Sequence, residues 1–104
     1  MIRVIVKYDG PSISSVTISG HANAADKGED LVCAGVSAIA IGTLNALDVL
    51  VSEHIEDQMS EGYIHIDVLQ YKPTIQTILD TMLIQLETMQ HAQSKYITIQ
   101  KQEV

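Results

Sequence analysis

The stretch SGHANAADKGEDLVCAGVSAIAIGTLNAL, residues 19–47, leads from the end of a strand through a loop into a long helix. Residues 13–20 alternate between apolar and polar side chains, which is the pattern of a half-buried strand. From residue 31 to about residue 52 the chain is apolar on nearly every side, and small side chains dominate the first half. A helix that is apolar all round is typically buried all round. We therefore expect a central helix packed between the sheet and a second surface, such as that of a partner subunit.

Short apolar segments on both sides of this helix predict strands that come in pairs. Residues 3–8 and 13–20 would form one hairpin around a Gly-Pro turn, and residues 54–60 and 63–69 would form a second hairpin. Pro73 then opens a one-sided amphipathic helix, and residues 96–100 give a last strand. The order ββαββαβ predicts an α+β fold, in which a mainly antiparallel sheet packs with two helices, one of them central and buried.

The size and cysteine content restrict the class of protein. A length of 104 residues suffices for one domain with one core. A single cysteine excludes a disulfide within the chain and agrees with a reducing, cytoplasmic compartment. The opening residues MIRVIVKYDG lack the pattern of a secretory signal. Polar residues inside the segment 31–51 favour a buried helix over a membrane span.

The net charge indicates which kinds of partner the chain can bind. The formal net charge is −7, and Lys and Arg form no stripe, which argues against direct binding of nucleic acid. Phe and Trp are absent, so the usual aromatic platforms for stacking bases are missing. A basic protein or peptide is the more natural partner. An acidic surface that only keeps the domain soluble would also account for the charge.

The only cysteine, Cys33, follows His21 by twelve positions and Asp30 by three. Asp30 is a strong N-cap residue immediately before the helical segment, which places Cys33 in the first turn. There the unpaired amides and the helix dipole stabilise a thiolate, and the same amides could hold an oxyanion. If the loop returns to the helix, His21 could take the thiol proton and give it to a leaving amine.

Other interpretations of the same residues stay open at this point. Cys33 could be a small buried hydrophobe that never meets His21. Asp30 could orient His21 as the third member of a triad, or it could only cap the helix. His21, Asp30 and Cys33 supply too few ligands for a structural zinc site, and no other metal-ligating motif occurs. We therefore expect no metal or other cofactor.

The stretch 19–47 resembles the Prp family, the ribosomal-processing cysteine proteases of Gram-positive bacteria and relatives. The pattern is a strand that ends in Gly-His-Ala, a glycine-containing loop, an acidic residue before the cysteine, and an apolar helix. Here it falls on Gly20, His21, Ala22, Gly28, Asp30, Cys33, Ala34 and Ser37. The chain length and the ββαββαβ order also fit. The resemblance implies a single cysteine protease domain over residues 1–104.

The resemblance also implies roles for individual residues. Cys33 would be the nucleophile and His21 the general base, and Asp30 would be the acidic residue of the catalytic group. Gly20 and Gly28 would be hinges of a loop that covers the bound peptide. The family tends to have alanine at position 35, and the glycine found here is expected only to loosen the packing.

The function implied by the resemblance is specific. Family members remove an N-terminal extension from a large-subunit ribosomal protein, and so allow ribosome assembly. The cut follows a short apolar segment that ends in aromatic residues, and homodimers are a family trait. The implied partners are this extension and a second copy of the chain, with no direct contact to nucleic acid or to a membrane. The alternative is a non-catalytic peptide-binding or ribosome-maturation module, which would need the groove but not the thiol.

Overall fold

The computed structural model describes residues 1–23, 25 and 30–104. Within these residues, five strands and two helices follow one another in the predicted order ββαββαβ. The strands are β1 Ile2–Asp9, β2 Ser12–Gly20, β3 Ile55–Ser60, β4 Tyr63–Val68 and β5 Ile97–Glu103. The helices are α1 Leu31–Val51 and α2 Pro73–Ala92, and a 3-10 turn at Ser52–His54 links α1 to β3. Both predicted hairpins are present, and the α+β fold class is confirmed.

The strands form a sheet in the order β3-β4-β2-β1-β5. The two hairpins meet where β2 and β4 pair antiparallel, with Ser19 opposite Tyr63 at one end of the shared ladder. By contrast, β5 lies parallel to β1 and begins with Ile97 opposite Ile2. The sheet is therefore mainly antiparallel, as predicted. The pairing of β2 with β4 also brings the turn that precedes β4 to the end of β2, where the loop toward α1 begins.

The core lies between the two helices and one face of the sheet. Alternate residues of β1, β2 and β4 point into it, because successive side chains of a strand point to opposite faces. The least exposed large side chains come from both the sheet and the helices: Val4, Val6, Ile13, Val16, Ile66, Leu47, Ile75, Leu79, Met82, Leu86 and Ile97. Polar residues such as Thr17, His65 and Asp67 occupy the opposite face of the central strands, where they form hydrogen bonds and an ion pair.

In the single chain α1 is buried along one face only, so the second surface that the sequence predicts is not supplied by the described residues. The buried residues of α1 recur every three or four positions, so they form one face of the helix: Val32, Val36, Ala40, Thr43, Leu44 and Leu47. On the other side Leu31 is 83% exposed, Val49 80% and Leu50 63%. The sequence pattern misled because much of the exposed side consists of small residues, whose exposure costs little. By length and composition α1 with its following turn could cross a membrane, although core helices of soluble proteins pass the same test.

Gly35 does not loosen the packing of α1, contrary to expectation. An ideal Cβ placed on Gly35 would lie 2.7 Å from Cε and 3.0 Å from Sδ of Met89. The space that an alanine methyl would occupy is therefore filled by the Met89 side chain, which reaches across from the last turns of α2. This contact packs the first turns of α1 against α2, close to Cys33.

Candidate active site

Asp30 fixes the start of α1. Its backbone is extended, with φ −81° and ψ 100°, and its side chain caps the helix. Oδ1 accepts hydrogen bonds from the backbone N–H groups of Val32 and Cys33, each at 3.0 Å. Asp30 is only 9% exposed, so its hydrogen bonds are largely shielded from water. Asp30 thus has the capping geometry that the sequence indicates, and it holds Cys33 at the third position of the helix.

The same geometry corrects the expected oxyanion site. The N–H groups of Val32 and Cys33 were expected to be unpaired and free to bind an oxyanion. Instead they donate to the Asp30 carboxylate, because an aspartate N-cap satisfies the donors that the first turn leaves open. These two N–H groups are therefore not free donors for an oxyanion on an attacked carbonyl.

The sulfur of Cys33 has a different donor. The backbone N–H of Ala22 donates to Sγ at a distance of 3.2 Å, and the Cys33 side chain is partly exposed. The Ala22 amide therefore lies within hydrogen-bond distance of the sulfur. The contact also shows that the chain after β2 returns to the first turn of α1, with Ala22 directly adjacent to His21.

His21 leaves the sheet at the point where β2 ends. Gly20 donates its backbone N–H to the carbonyl of Gly62 at 2.9 Å, which extends the β2–β4 ladder by one step. Gly20 has φ +93°, and an added Cβ would lie only 2.3 Å from the carbonyl oxygen of Met1. The Met1 amino group in turn donates to the carbonyl of His21. The backbone on both sides of the His21 Cα is therefore tied to neighbouring segments.

Of the two predicted hinge glycines, only Gly20 lies within the described residues. Gly20 is held by its hydrogen bond to Gly62 and by its close approach to Met1, so a hinge motion at this position must break both contacts. Gly28 lies outside the described residues. The role of both glycines as hinges stays a prediction.

Two cavities meet at Cys33 and His21, and both residues line each of them. The first cavity has a volume of about 310 Å³, and its walls are mainly apolar: Ile2, Ile18, Val36, Ala40, Ile41, Met59, Tyr63 and Ile64. The second has a volume of about 450 Å³ and more polar walls, formed by Asn23, Asp30, Ser37 and Glu61 among others. Cys33 and His21 thus lie where two cavities meet, the second of them lined by more polar residues than the first.

Sequence reasoning missed two residues of this site, Glu61 and Gly62. Both belong to the turn between β3 and β4, and both line the apolar cavity. The glycine was visible in the sequence as part of a hairpin turn. Its position beside His21 follows only from the pairing of β2 with β4, which the sequence does not specify.

Within the described residues, no three metal-ligating side chains cluster. Cys33 and His21 line the same two cavities, and cysteine and histidine are the residue types that cysteine-dependent hydrolases use as nucleophile and base.

Comparison with known proteins identifies the family. The family model described as Cysteine protease Prp matches residues 1–98. A ribosomal processing cysteine protease Prp from Staphylococcus aureus is 35% identical over 103 residues, which cover 95% of this chain and 97% of that protein. The corresponding Bacillus subtilis protein is 35% identical over 85 residues, 75% of this chain and 76% of that protein. The chain therefore belongs to the Prp family of cysteine proteases.

Solved structures agree with this assignment. A crystal structure of the essential ribosomal processing protease Prp from S. aureus, with a covalently linked product peptide, has a TM-score of 0.92 and 32% identity. The match covers 98% of this chain and 100% of the S. aureus chain. A second S. aureus structure, in complex with a substrate peptide, has a TM-score of 0.87 and 30% identity. The enzyme class predicted from the sequence, a cysteine protease, is confirmed.

Proposed function

We propose that this protease removes the N-terminal extension of a large-subunit ribosomal protein and so supports ribosome assembly. The observation that carries the proposal is the contact of Cys33 Sγ with the amide of Ala22, the residue after His21, at a cavity that both Cys33 and His21 line. The S. aureus relatives support it, because they are ribosomal processing proteases whose solved structures contain a product or a substrate peptide.

The proposed catalytic steps use His21 and Cys33 in turn. His21 takes the proton from Cys33 Sγ, and the thiolate attacks the scissile carbonyl carbon to form a C–S bond. The C–N bond then breaks, and the protonated His21 gives its proton to the leaving amine. Next His21 takes a proton from water, whose oxygen attacks the thioester. The C–S bond breaks, a new carboxyl terminus is released, and the sulfur returns to its starting state.

The Ala22 amide is the donor best placed to assist. It donates to Sγ at 3.2 Å, so it already lies next to the atom that would attack. Once the C–S bond forms, the negative charge moves to the carbonyl oxygen, which lies one bond beyond the carbon attached to sulfur. We assign the oxyanion to this amide, because Asp30 occupies the N–H groups of Val32 and Cys33.

The apolar cavity is suited to the side chain that precedes the cut. Aliphatic residues and Met59 form most of its walls, as expected for a chain without Phe or Trp, and Tyr63 adds an aromatic ring. An aromatic substrate side chain would bury its surface there. Among the described residues β3 is an edge strand, and its residues Met59 and Ser60 line the cavity, so an extended peptide could pair with it beside the site.

The proposal extends to assembly and location. Residues 1–104 would act as a single protease domain in the cytoplasm, where ribosomal precursors are made, without direct contact to nucleic acid or a membrane. The exposed apolar side chains of α1, including Val49 and Leu50, support a homodimer, because a second copy would remove them from water. The proposed cleavage reaction does not depend on the location or on the homodimer.

The test is cleavage of the precursor of the large-subunit protein by the purified chain, followed by mass spectrometry. We expect a single cut after the apolar segment. Cys33→Ala should abolish it, and His21→Ala should slow it by about 10²–10⁴-fold, the usual contribution of a general base. His91→Ala is the matched control, because His91 is exposed on α2 and away from both cavities of the site. Undiminished cleavage by Cys33→Ala would refute the proposal.

A further inference from the structure

We infer that Gly62 is a positioning residue that sets where the His21 imidazole lies. The inference rests on the proposed role of His21 as general base. Gly62 belongs to the turn between β3 and β4, and it is far from His21 in sequence. The β2–β4 ladder brings the two together, since the backbone N–H of Gly20 donates to the Gly62 carbonyl and His21 is the next residue.

The imidazole lies directly against the Cα of Gly62. An ideal Cβ built on Gly62 would be 2.8 Å from His21 Nε2, 3.2 Å from Cε1 and 3.5 Å from Cδ2. Real Cβ atoms essentially never come within 3.0 Å of another heavy atom in this way, so a methyl group and the ring cannot both keep their places. The His21 ring thus occupies the space that a side chain at position 62 would need.

A side chain at this position would move the ring without unfolding the protein. His21 is exposed, so its ring can rotate toward solvent at little cost to the fold. Cys33, His21 and Gly62 line the same apolar cavity, and a displaced ring changes its distance to the sulfur. Because proton transfer requires hydrogen-bond contact, a displacement of about 1 Å can reduce the rate about 100-fold.

Gly62 also has a positive φ of +68°, which by itself disfavours other residues. The chain provides a matched control for this backbone effect. Gly10, in the turn between β1 and β2, has φ +60°, and a Cβ placed there would meet nothing within 4 Å. Gly10→Ala therefore introduces the same kind of backbone strain without a methyl group beside His21.

The experiment compares Gly62→Ala with Gly10→Ala in the full chain. Both variants should lose a similar amount of thermal stability. Gly62→Ala should lower kcat for precursor cleavage by roughly 10- to 100-fold with KM within about threefold, while Gly10→Ala keeps kcat within about twofold. The rate of Cys33 alkylation by iodoacetamide at pH 7 should fall in Gly62→Ala only, because the displaced imidazole no longer takes the thiol proton.

Two additional variants make the result decisive. Gly62→Asn and Gly10→Asn add the same Cβ with less backbone strain, since asparagine tolerates positive φ, and they replace the alanine variants if those do not fold. In a His21→Ala background, Gly62→Ala should reduce kcat no further, because the ring it displaces is absent.

The inference is overturned if Gly62→Ala and Gly10→Ala have the same kcat and alkylation rate. It is also overturned if the loss in Gly62→Ala persists undiminished in the His21→Ala background. Failure of the proposed function gives a different result, in which the wild-type chain does not cut the precursor. The alkylation comparison needs no substrate, so it reports on Gly62 in either case.

Discussion

Replacement of Asp30 separates its role as a helix cap from a role in catalysis. Asp30→Ala removes the acceptor of two hydrogen bonds, from the N–H groups of Val32 and Cys33, each 3.0 Å long and shielded from water. Loss of an N-cap side chain costs about 0.5–2 kcal/mol, and burial of the carboxylate places Asp30 in the upper half of that range. For a domain of this size, each kcal/mol lowers Tm by about 4–8 °C.

Asp30→Asn is the informative partner of this variant. Asparagine caps helices about as well as aspartate, so the free energy of unfolding should change by less than about 0.5 kcal/mol. If Asp30 acts as a cap, Asp30→Asn should also keep kcat within about threefold of wild type. If its charge orients His21, Asp30→Asn should instead lose activity while it stays folded, as in triads where the same change costs about 10⁴-fold.

Thermal unfolding followed by circular dichroism measures the first effect, and cleavage of the precursor measures the second. Asp80→Ala, an exposed aspartate on α2, serves as the control and should change stability by less than about 0.5 kcal/mol. We expect a Tm lower by at least about 4 °C for Asp30→Ala, and a Tm close to wild type for Asp30→Asn. Equal Tm values for Asp30→Ala and wild type would refute the capping argument.

Two further substitutions test the fold around the site. Gly20→Ala should destabilise the protein by about 2 kcal/mol or more, because φ is +93° and the new Cβ would overlap the Met1 carbonyl. A Tm within about 2 °C of wild type would mean that the clash is absent, and it would contradict this expectation. Leu47→Ala, at 1% exposure, should cost about 2–5 kcal/mol. Leu50→Ala, at 63% exposure, should cost less than about 0.5 kcal/mol in denaturant unfolding at low protein concentration. Similar costs for both leucines would contradict the one-sided burial of α1.

Local sequence patterns predicted most of the secondary structure. Alternation and three- to four-residue spacing located the strands and helices, because these patterns depend only on neighbouring residues. The N-cap at Asp30 was also readable, since a capping side chain acts on the amides two and three positions later. The motif around Cys33 supplied what spacing alone did not decide, namely that His21 and Cys33 belong to one site.

Features set by distant contacts were not predictable in this way. The parallel pairing of β5 with β1 depends on where α2 directs the chain, and the sequence of β5 does not encode its neighbour. The burial of α1 was overestimated, because alanine, serine and glycine fit both a buried and an exposed surface. Gly62 was seen as a turn residue, but its contact with His21 needs the β2–β4 register.

The position of Cys33 between two cavities has a consequence for the order of events in the proposed cleavage. In that reaction the cut peptide becomes two fragments, one in each cavity. The amine fragment can dissociate from its cavity while the acyl fragment is still bound to the sulfur as a thioester in the other cavity. Water then enters through the vacated side, so the first product departs before the second is made.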